Sequence, residues 1–202
     1  MPTQRERREA TIAKLLDASI ATIDEIGYAR ASVKIISARA GLSYGALFRH
    51  FPTMSDFMAA TAREAVRRQA ETVAERFRGV AAEAGGTDLD RGLDALREVA
   101  GTPAHNAILE LTMAARTDPF LRAAMQQTMV DHGLIMIELT REVVGRELDL
   151  TDDDLVAFTF LIADIFDSEV FQRPLRERHP EIGAHRVPVL RRMLEQFRRT
   201  GP

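Results

Sequence analysis

The sequence predicts an all-α protein with two parts, a small N-terminal three-helix domain (residues 1–51) joined by a long helix to a larger helical domain (residues 52–202). Two observations support this fold class. The strong helix formers Ala, Leu, Glu and Arg supply 89 of the 202 residues. Apolar residues recur every three or four positions through most of the chain, and no segment alternates convincingly with the period of a strand.

Two capping boxes predict where the long N-terminal helices begin. Thr3, with a Glu three residues later, opens the first helix, which runs to Gly27. Thr53, with an Asp three residues later, opens a longer helix that continues toward the glycine pair at 85–86. In each box a hydroxyl and a carboxylate satisfy backbone N–H groups that the helix itself leaves unpaired.

Between these helices, residues 32–51 predict two short helices joined by a tight turn. Ser32 and Ser43 are good N-caps, and Gly41 suits the left-handed conformation that ends the first of the two helices. The apolar positions expected to pack inward are Ile36, Ala40, Leu47 and Phe51. Two helices of fewer than ten residues around a glycine turn have the form of a helix-turn-helix.

The larger domain is predicted to contain five further helices. They are expected at 88–99, 104–116, about 120–144, 155–171 and about 187–199. Gly- and Pro-containing segments separate most of them, and the Pro- and His-rich stretch before the last helix is predicted to be a loop.

The composition excludes several classes of function. There is no cysteine, which excludes a disulfide scaffold, a thiolate zinc site and a cysteine nucleophile. There is no Gly-rich phosphate loop, HExxH or GxSxG motif, so we expect no enzyme activity, catalytic residue or cofactor. His179 and His185 lie near two glutamates, but we interpret this stretch as a charged surface loop and expect no metal site.

Charge and hydropathy indicate an intracellular protein that binds a polyanion. Residues 1–51 carry a net charge of +3 and residues 79–202 carry −7, although a difference of this size also lies within ordinary scatter. The start of the chain is charged and has no apolar run behind it. The most apolar stretch, 155–163, is far shorter than the ~20 residues that span a bilayer. We therefore expect a cytoplasmic protein with no membrane partner.

Residues 27–52 resemble the TetR family of transcriptional regulators. The resemblance rests on Gly27-Tyr28, then SVKIISARAGLS at 32–43, then YGALFRHFP at 44–52. The family pattern reads roughly T-V-x-x-I-A-x-x-A-G-V-S-x-G-x-L-Y-x-H-F, and turn, cap, core and surface positions all match in one register. The resemblance covers about the first sixty residues, and it implies a helix-turn-helix DNA-binding domain followed by an effector-binding and dimerisation domain.

The resemblance implies that the second short helix reads double-stranded DNA through its N-terminal residues. The DNA-binding candidates are Ser32, Lys34, Ser43, Tyr44, Gly45, Ala46, Phe48, Arg49 and His50. Arg5, Arg7 and Arg8 are candidates for phosphate or minor-groove contact, with a solvated helix start as the alternative.

Three positions depart from the family pattern. Ser37 replaces a common Ala, which is a sterically mild change. Phe48 and Met54 replace the Tyr and Lys that commonly contact phosphate in the family. Two alternatives therefore stay open. One is a helical small-molecule-binding protein or enzyme with weakened DNA binding, and the other is a DNA-binding protein without an effector.

The resemblance further implies a homodimeric repressor that a small-molecule effector of unknown identity releases from a near-palindromic operator. The helices at 155–171 and 187–199 are expected to pair with those of a partner subunit. The first of these is apolar nearly all round, which independently favours burial on two sides. The ligand-binding candidates are His105, Leu109, Met113, Met125, Met129, His132, Phe158 and Ile162, with ordinary core packing as the alternative for each methionine and for His132.

Overall fold

The computed structural model describes residues 1, 3–81, 88–144, 148 and 150–200, and all the regular structure in these residues is helical. Two short 3-10 helices span Tyr28–Arg30 and Pro174–Arg176. The α-helices are α1 (Gln4–Ile26), α2 (Val33–Arg39), α3 (Tyr44–His50), α4 (Met54–Ala81), α5 (Asp88–Val99), α6 (Pro103–Ala115), α7 (Pro119–Val144), α8 (Asp152–Gln172) and α9 (Pro180–Thr200).

The predicted helix starts at the two N-terminal capping boxes are confirmed. Thr3 Oγ1 accepts the N–H of Glu6 at 3.2 Å, and the Thr3 N–H donates to the Glu6 carboxylate at 2.6 Å. Thr53 and Asp56 exchange the same pair of hydrogen bonds, each at 3.1 Å. The glycine pair at 85–86, where we predicted that α4 ends, lies outside the described residues.

The helices fall into two packed units. The first contains Met1–Gln69 and Thr102–Asp131, and the second contains Ala70–Gly101 and His132–Pro202. Within the first unit, α6 packs against α1 and joins the core formed by the three N-terminal helices. The sequence did not reveal that α4, α6 and α7, all from the larger predicted domain, contribute residues to this core.

Polar contacts fasten α6 within the first unit. The side-chain amide of Asn106 donates to the Asp24 carboxylate at 2.6 Å. The backbone N–H of Tyr28 donates to the Glu110 carboxylate at 2.9 Å. The side chain of Tyr28 is partly buried, and this burial is the main cause of the raised pKa of its hydroxyl. These contacts tie α6 to the end of α1 and to the segment between α1 and α2.

The second unit has a separate apolar core. Leu93 of α5, Ile162 and Phe166 of α8, and Val187 of α9 are buried together. The Arg191 guanidinium of α9 donates to the Asp94 carboxylate of α5 at 2.6 Å. This core positions α5, α8 and α9, the helices on which the cavity and the apolar faces described below are built.

The prediction that the last helix begins near residue 187 was wrong. α9 begins at Pro180, so Gly183 and His185 belong to the helix rather than to a loop. Proline suits the first position of a helix because its missing N–H has no partner there in any case. Pro188 lies inside the helix and has no N–H to donate, and its neighbour Val187 is buried in the second core.

Candidate nucleic-acid interface and effector cavity

Local hydrogen bonds position the two short helices. Ser32 Oγ accepts the N–H of Ile35 at 3.4 Å, and Ser43 Oγ accepts the N–H of Ala46 at 3.2 Å. Gly41 has φ = +66°, a conformation that a side chain would strain. The predicted caps and the glycine turn of the helix-turn-helix are confirmed.

The inner face of the helix-turn-helix is part of the first core. Ile36 of α2 and Leu47 of α3 are completely buried, and Phe51 is almost so. Ala40 is partly buried against the same core. Because these side chains fix both helices to the first core, the opposite face of α3 is presented on a rigid support.

The outer face carries the DNA-binding candidates with different degrees of exposure. Tyr44 is 61% exposed, and its ring lies 4.9 Å from that of Phe48, which packs partly against the core. Ile35, which the sequence did not single out, is also exposed on α2. Of the other candidates, Ser32, Lys34, Ser43, Gly45 and Arg49 are exposed, whereas Ala46 and His50 are half-buried.

Gly45 has no side chain, so it leaves the backbone of the first turn of α3 uncovered. A Cβ atom built on this residue would meet no other atom within 4 Å. The glycine is therefore not required by packing inside the protein, although glycine weakens a helix relative to alanine. Close approach of another molecular surface to the backbone of α3 would explain why glycine occupies this position.

A concave basic surface lies between the start of α1 and the end of α3. We call it the basic cleft, and it has a volume of about 740 Å³ and is open to solvent. Its lining residues are Gln4, Arg5, Arg7, Arg8 and Thr11 from α1 with Arg49 and His50 from α3. The spacing of three and four residues between positions 4, 7, 8 and 11 could have revealed one shared face of α1, but its proximity to α3 is a tertiary feature.

The arginines of this region differ in their partners. Both terminal nitrogens of Arg39 donate to the Glu25 carboxylate, at 2.6 and 2.5 Å, which ties α2 to α1 and lowers the pKa of Glu25. Within the described part of the chain, Arg49 has no ion-pair partner. Arg49 is thus available to an external anion in a way that Arg39 is not.

The pKa of His50 is lowered by its surroundings. Partial burial disfavours the charged imidazolium, and the nearby guanidinium groups of Arg8 and Arg49 disfavour it further. The neutral ring is therefore favoured in the free protein. An anion bound in the basic cleft would counter the positive charge of the two guanidinium groups and so raise the pKa of His50.

A small cavity of about 40 Å³ lies within the second unit between α5, α7 and α8. Two predicted ligand-binding residues, Phe158 and Ile162, line it, and Met136 of α7 does so as well. The other candidates lie elsewhere: His105, Leu109 and Met125 are buried in the first unit, Met129 packs partly against its core, Met113 is exposed, and His132 is half-buried in the second unit.

Two helices of the second unit carry apolar side chains on faces that point away from its core. On α8, Val156, Phe160 and Leu161 are exposed opposite the buried Leu155, Ile162 and Phe166. On α9, the exposed apolar residues are Ile182, Val189 and Met193. Neither α8 nor any other helix in the described part of the chain has the length and hydropathy of a membrane span.

Comparisons with known proteins agree with the architecture of this site. Residues 15–61 match the family model of bacterial regulatory proteins of the tetR family. The chain is 39% identical over 192 residues to the uncharacterized HTH-type transcriptional regulator Rv2912c of Mycobacterium tuberculosis, covering 95% of this chain and 96% of that protein. It is 29% identical over 136 residues to the HTH-type transcriptional repressor AcnR of Corynebacterium glutamicum, covering 67% and 65% of the two chains.

A solved structure shares the fold. The multidrug binding protein EbrR, crystallised with imidazole, matches with a TM-score of 0.61 and 21% identity, covering 83% of this chain and 86% of that one. The full-length similarity to Rv2912c, the family match over the helix-turn-helix and the geometry of α2 and α3 lead to one conclusion. The chain belongs to the TetR family and is a helix-turn-helix transcriptional regulator.

Proposed function

We propose that this regulator is a homodimeric repressor that binds a near-palindromic operator in the bacterial cytoplasm and leaves it when a small molecule occupies the cavity of the second unit. The observation that carries the DNA-binding part is the division of α2 and α3 into a buried apolar face and an exposed polar face. The exposed face of α3 carries Tyr44, Gly45 and Arg49 together.

In this proposal the first turn of α3 enters the major groove. Ser43, Tyr44 and Gly45 stand where the N-terminal residues of a recognition helix contact base edges. The basic cleft, with Arg7, Arg8 and Arg49, contacts the phosphates beside the groove. Phosphate contacts set the position of the protein on the duplex, and base contacts set the sequence that it prefers.

The apolar faces of α8 and α9 are proposed to form the dimer interface. Exposed apolar patches of this kind, rimmed by polar residues, are typical of surfaces that another protein covers. A two-fold dimer places two copies of α3 on two half-sites, so the symmetry of the operator follows from the symmetry of the protein.

The proposed mode of regulation rests on the relatives and on the cavity. AcnR is named a repressor, and EbrR is described as a multidrug binding protein. In our proposal the effector and the operator prefer different conformations of the dimer, with a coupling free energy of about 1–3 kcal/mol. Phe158 and Ile162 are the effector-binding residues in this scheme, and the roles of the other ligand-binding candidates stay predictions.

The experiment that tests DNA recognition is a selection of sheared genomic DNA by the purified full-length protein at moderate salt, followed by sequencing. We expect enrichment of fragments that share a near-palindrome. Recovery of fragments without a common sequence would contradict the proposal. A parallel selection with Tyr44→Ala serves as the comparison, because this exposed side chain is expected to contribute to recognition and little to folding.

Removal of Arg49 is expected to weaken binding to all DNA sequences alike. If its guanidinium neutralises one phosphate, Arg49→Ala lowers the slope of log affinity against log salt by about one per subunit. The affinity is measured by fluorescence anisotropy across a salt series. The matched control is Arg97→Ala, which removes an exposed arginine from the second unit. An unchanged slope, or a loss restricted to one base position, would contradict a phosphate contact.

Operator affinity is expected to rise as the pH falls from about 8 to about 6. The pKa of His50 is below its ordinary value in the free protein, and a phosphate in the basic cleft raises it, so binding takes up a proton. Affinity measured at constant ionic strength tests this, with His50→Gln expected to flatten the pH dependence. His185→Gln, at an exposed position of α9, is the control. An equal slope in His50→Gln and the unmodified protein would contradict the assignment.

A further inference from the structure

The walls of the cavity in the second unit are almost entirely apolar. Leu93, Met136, Phe158 and Ile162 are among its lining residues. Among the residues that the structure describes, none that lines the cavity carries a charge. An ion entering this site would lose its hydration without gaining a counter-charge, which is costly.

The polar side chains on the cavity wall are two threonines whose hydroxyl hydrogens are already committed. Thr140 Oγ1 donates to the Met136 carbonyl oxygen at 2.8 Å, and Thr159 Oγ1 donates to the Leu155 carbonyl oxygen at 2.8 Å. A threonine hydroxyl has one hydrogen and two lone pairs. Each hydroxyl oxygen therefore keeps acceptor lone pairs for a ligand, while its hydrogen stays within its own helix.

We infer that the effector is an uncharged, mainly hydrocarbon or aromatic molecule that carries a hydroxyl or N–H donor. This inference rests on the proposed function, in which the cavity is the effector site. A donor on the ligand pairs with the acceptor lone pairs of Thr140 or Thr159. A ligand whose polar group is only an acceptor, such as an ether, leaves that group unpaired unless a threonine gives up its intrahelical bond.

The size of the cavity narrows the class further. Its volume of about 40 Å³ lies far below the range for small-molecule sites, so it favours a small ligand, which enters only when side chains of the wall move. Half-buried side chains form part of the wall, among them Phe158 and Met136. A substituted phenol is a suitable representative, because it combines an apolar body with a single donor.

The test compares three probes that share one apolar body. They are 4-tert-butylphenol, 4-tert-butylanisole and 4-tert-butylbenzoate, and their binding to the full-length protein is measured by isothermal titration calorimetry without DNA. We expect the phenol to bind about five- to tenfold more tightly than the anisole, the gain of one hydrogen bond. The benzoate is expected to bind most weakly because it is an anion.

Variants of the two threonines connect the preference to the cavity. Thr140→Val or Thr159→Val removes an acceptor at nearly constant volume, so the phenol should lose part of its advantage over the anisole. Thr159→Ser keeps the acceptor and should keep the advantage. The matched control is Thr22→Val, because Thr22 is buried in the first unit and makes the same bond to its own helix, to the Ala18 carbonyl oxygen at 2.6 Å.

The outcomes separate this inference from the proposed function. Equal affinity for phenol and anisole, tighter binding of the benzoate, or no binding of any probe would overturn the ligand class. A phenol preference that the valine variants leave intact would overturn the role of the threonines. A preference that the variants abolish, without release of DNA by the phenol, supports the ligand class for the cavity but contradicts the cavity as the effector site.

Discussion

Replacing Leu161 with arginine is expected to separate the dimer into monomers and to lower operator affinity by about 100-fold or more. Leu161 is 59% exposed on α8, opposite the residues that α8 buries in its own core. The substitution therefore introduces a charge into the proposed interface with little effect on the fold of the subunit. Light scattering during size-exclusion chromatography should show the mass fall from twice 22.5 kDa to 22.5 kDa.

The affinity loss follows because one subunit can no longer bring its partner to the second half-site. The matched control is Leu175→Arg, which places the same charge at a leucine that is 86% exposed outside α8 and α9. This variant should remain dimeric and bind the operator normally. A Leu161→Arg protein that stays dimeric would contradict the proposed interface.

Substitutions at Gly45 are expected to change stability and DNA binding in opposite directions. Gly45→Ala should stabilise the fold by about 0.5–1 kcal/mol, because alanine favours the helix and its Cβ meets nothing inside the protein. The same methyl group projects from the bare first turn of α3 toward the proposed DNA surface. We therefore expect operator affinity to fall in Gly45→Ala, and specific binding to be lost in Gly45→Leu.

Thermal unfolding and anisotropy measured on the same samples test this opposition. Ala123→Leu, an exposed position on α7, controls for adding an apolar side chain to a helix surface. If Gly45→Leu bound the operator as tightly as the unmodified protein, the first turn of α3 could not lie against DNA. Loss of stability in Gly45→Ala would instead mean that the glycine serves the fold.

Local sequence signals predicted the secondary structure well. The two helices whose start was predicted from a Thr–x–x–acid pattern begin next to that threonine. Thr151 caps α8 in the same way, since it accepts the Asp154 N–H at 3.2 Å. The helix-turn-helix was predictable because Ser32, Gly41 and Ser43 act through their own backbone neighbours. The error at α9 arose where Pro188 suggests a boundary and tertiary packing overrides it.

Features that depend on distant parts of the chain were less predictable. The basic cleft combines the start of α1 with the end of α3, some forty residues later. The participation of α6 in the first core depends on contacts such as that between Glu110 and Tyr28, 82 residues apart in sequence. Phe158 and Ile162 were recognisable as apolar, but their position on a cavity wall depends on how α5, α7 and α8 pack.

The most direct test of the central claim is a hydroxyl-radical footprint of the full-length protein on the operator recovered by selection. Our account predicts two protected segments related by a two-fold axis, with centres separated by about one helical turn or a multiple of it. It also predicts that Gly45→Leu abolishes both segments together. A single protected segment, or uniform protection of any DNA sequence, would contradict recognition of a near-palindrome by two copies of α3.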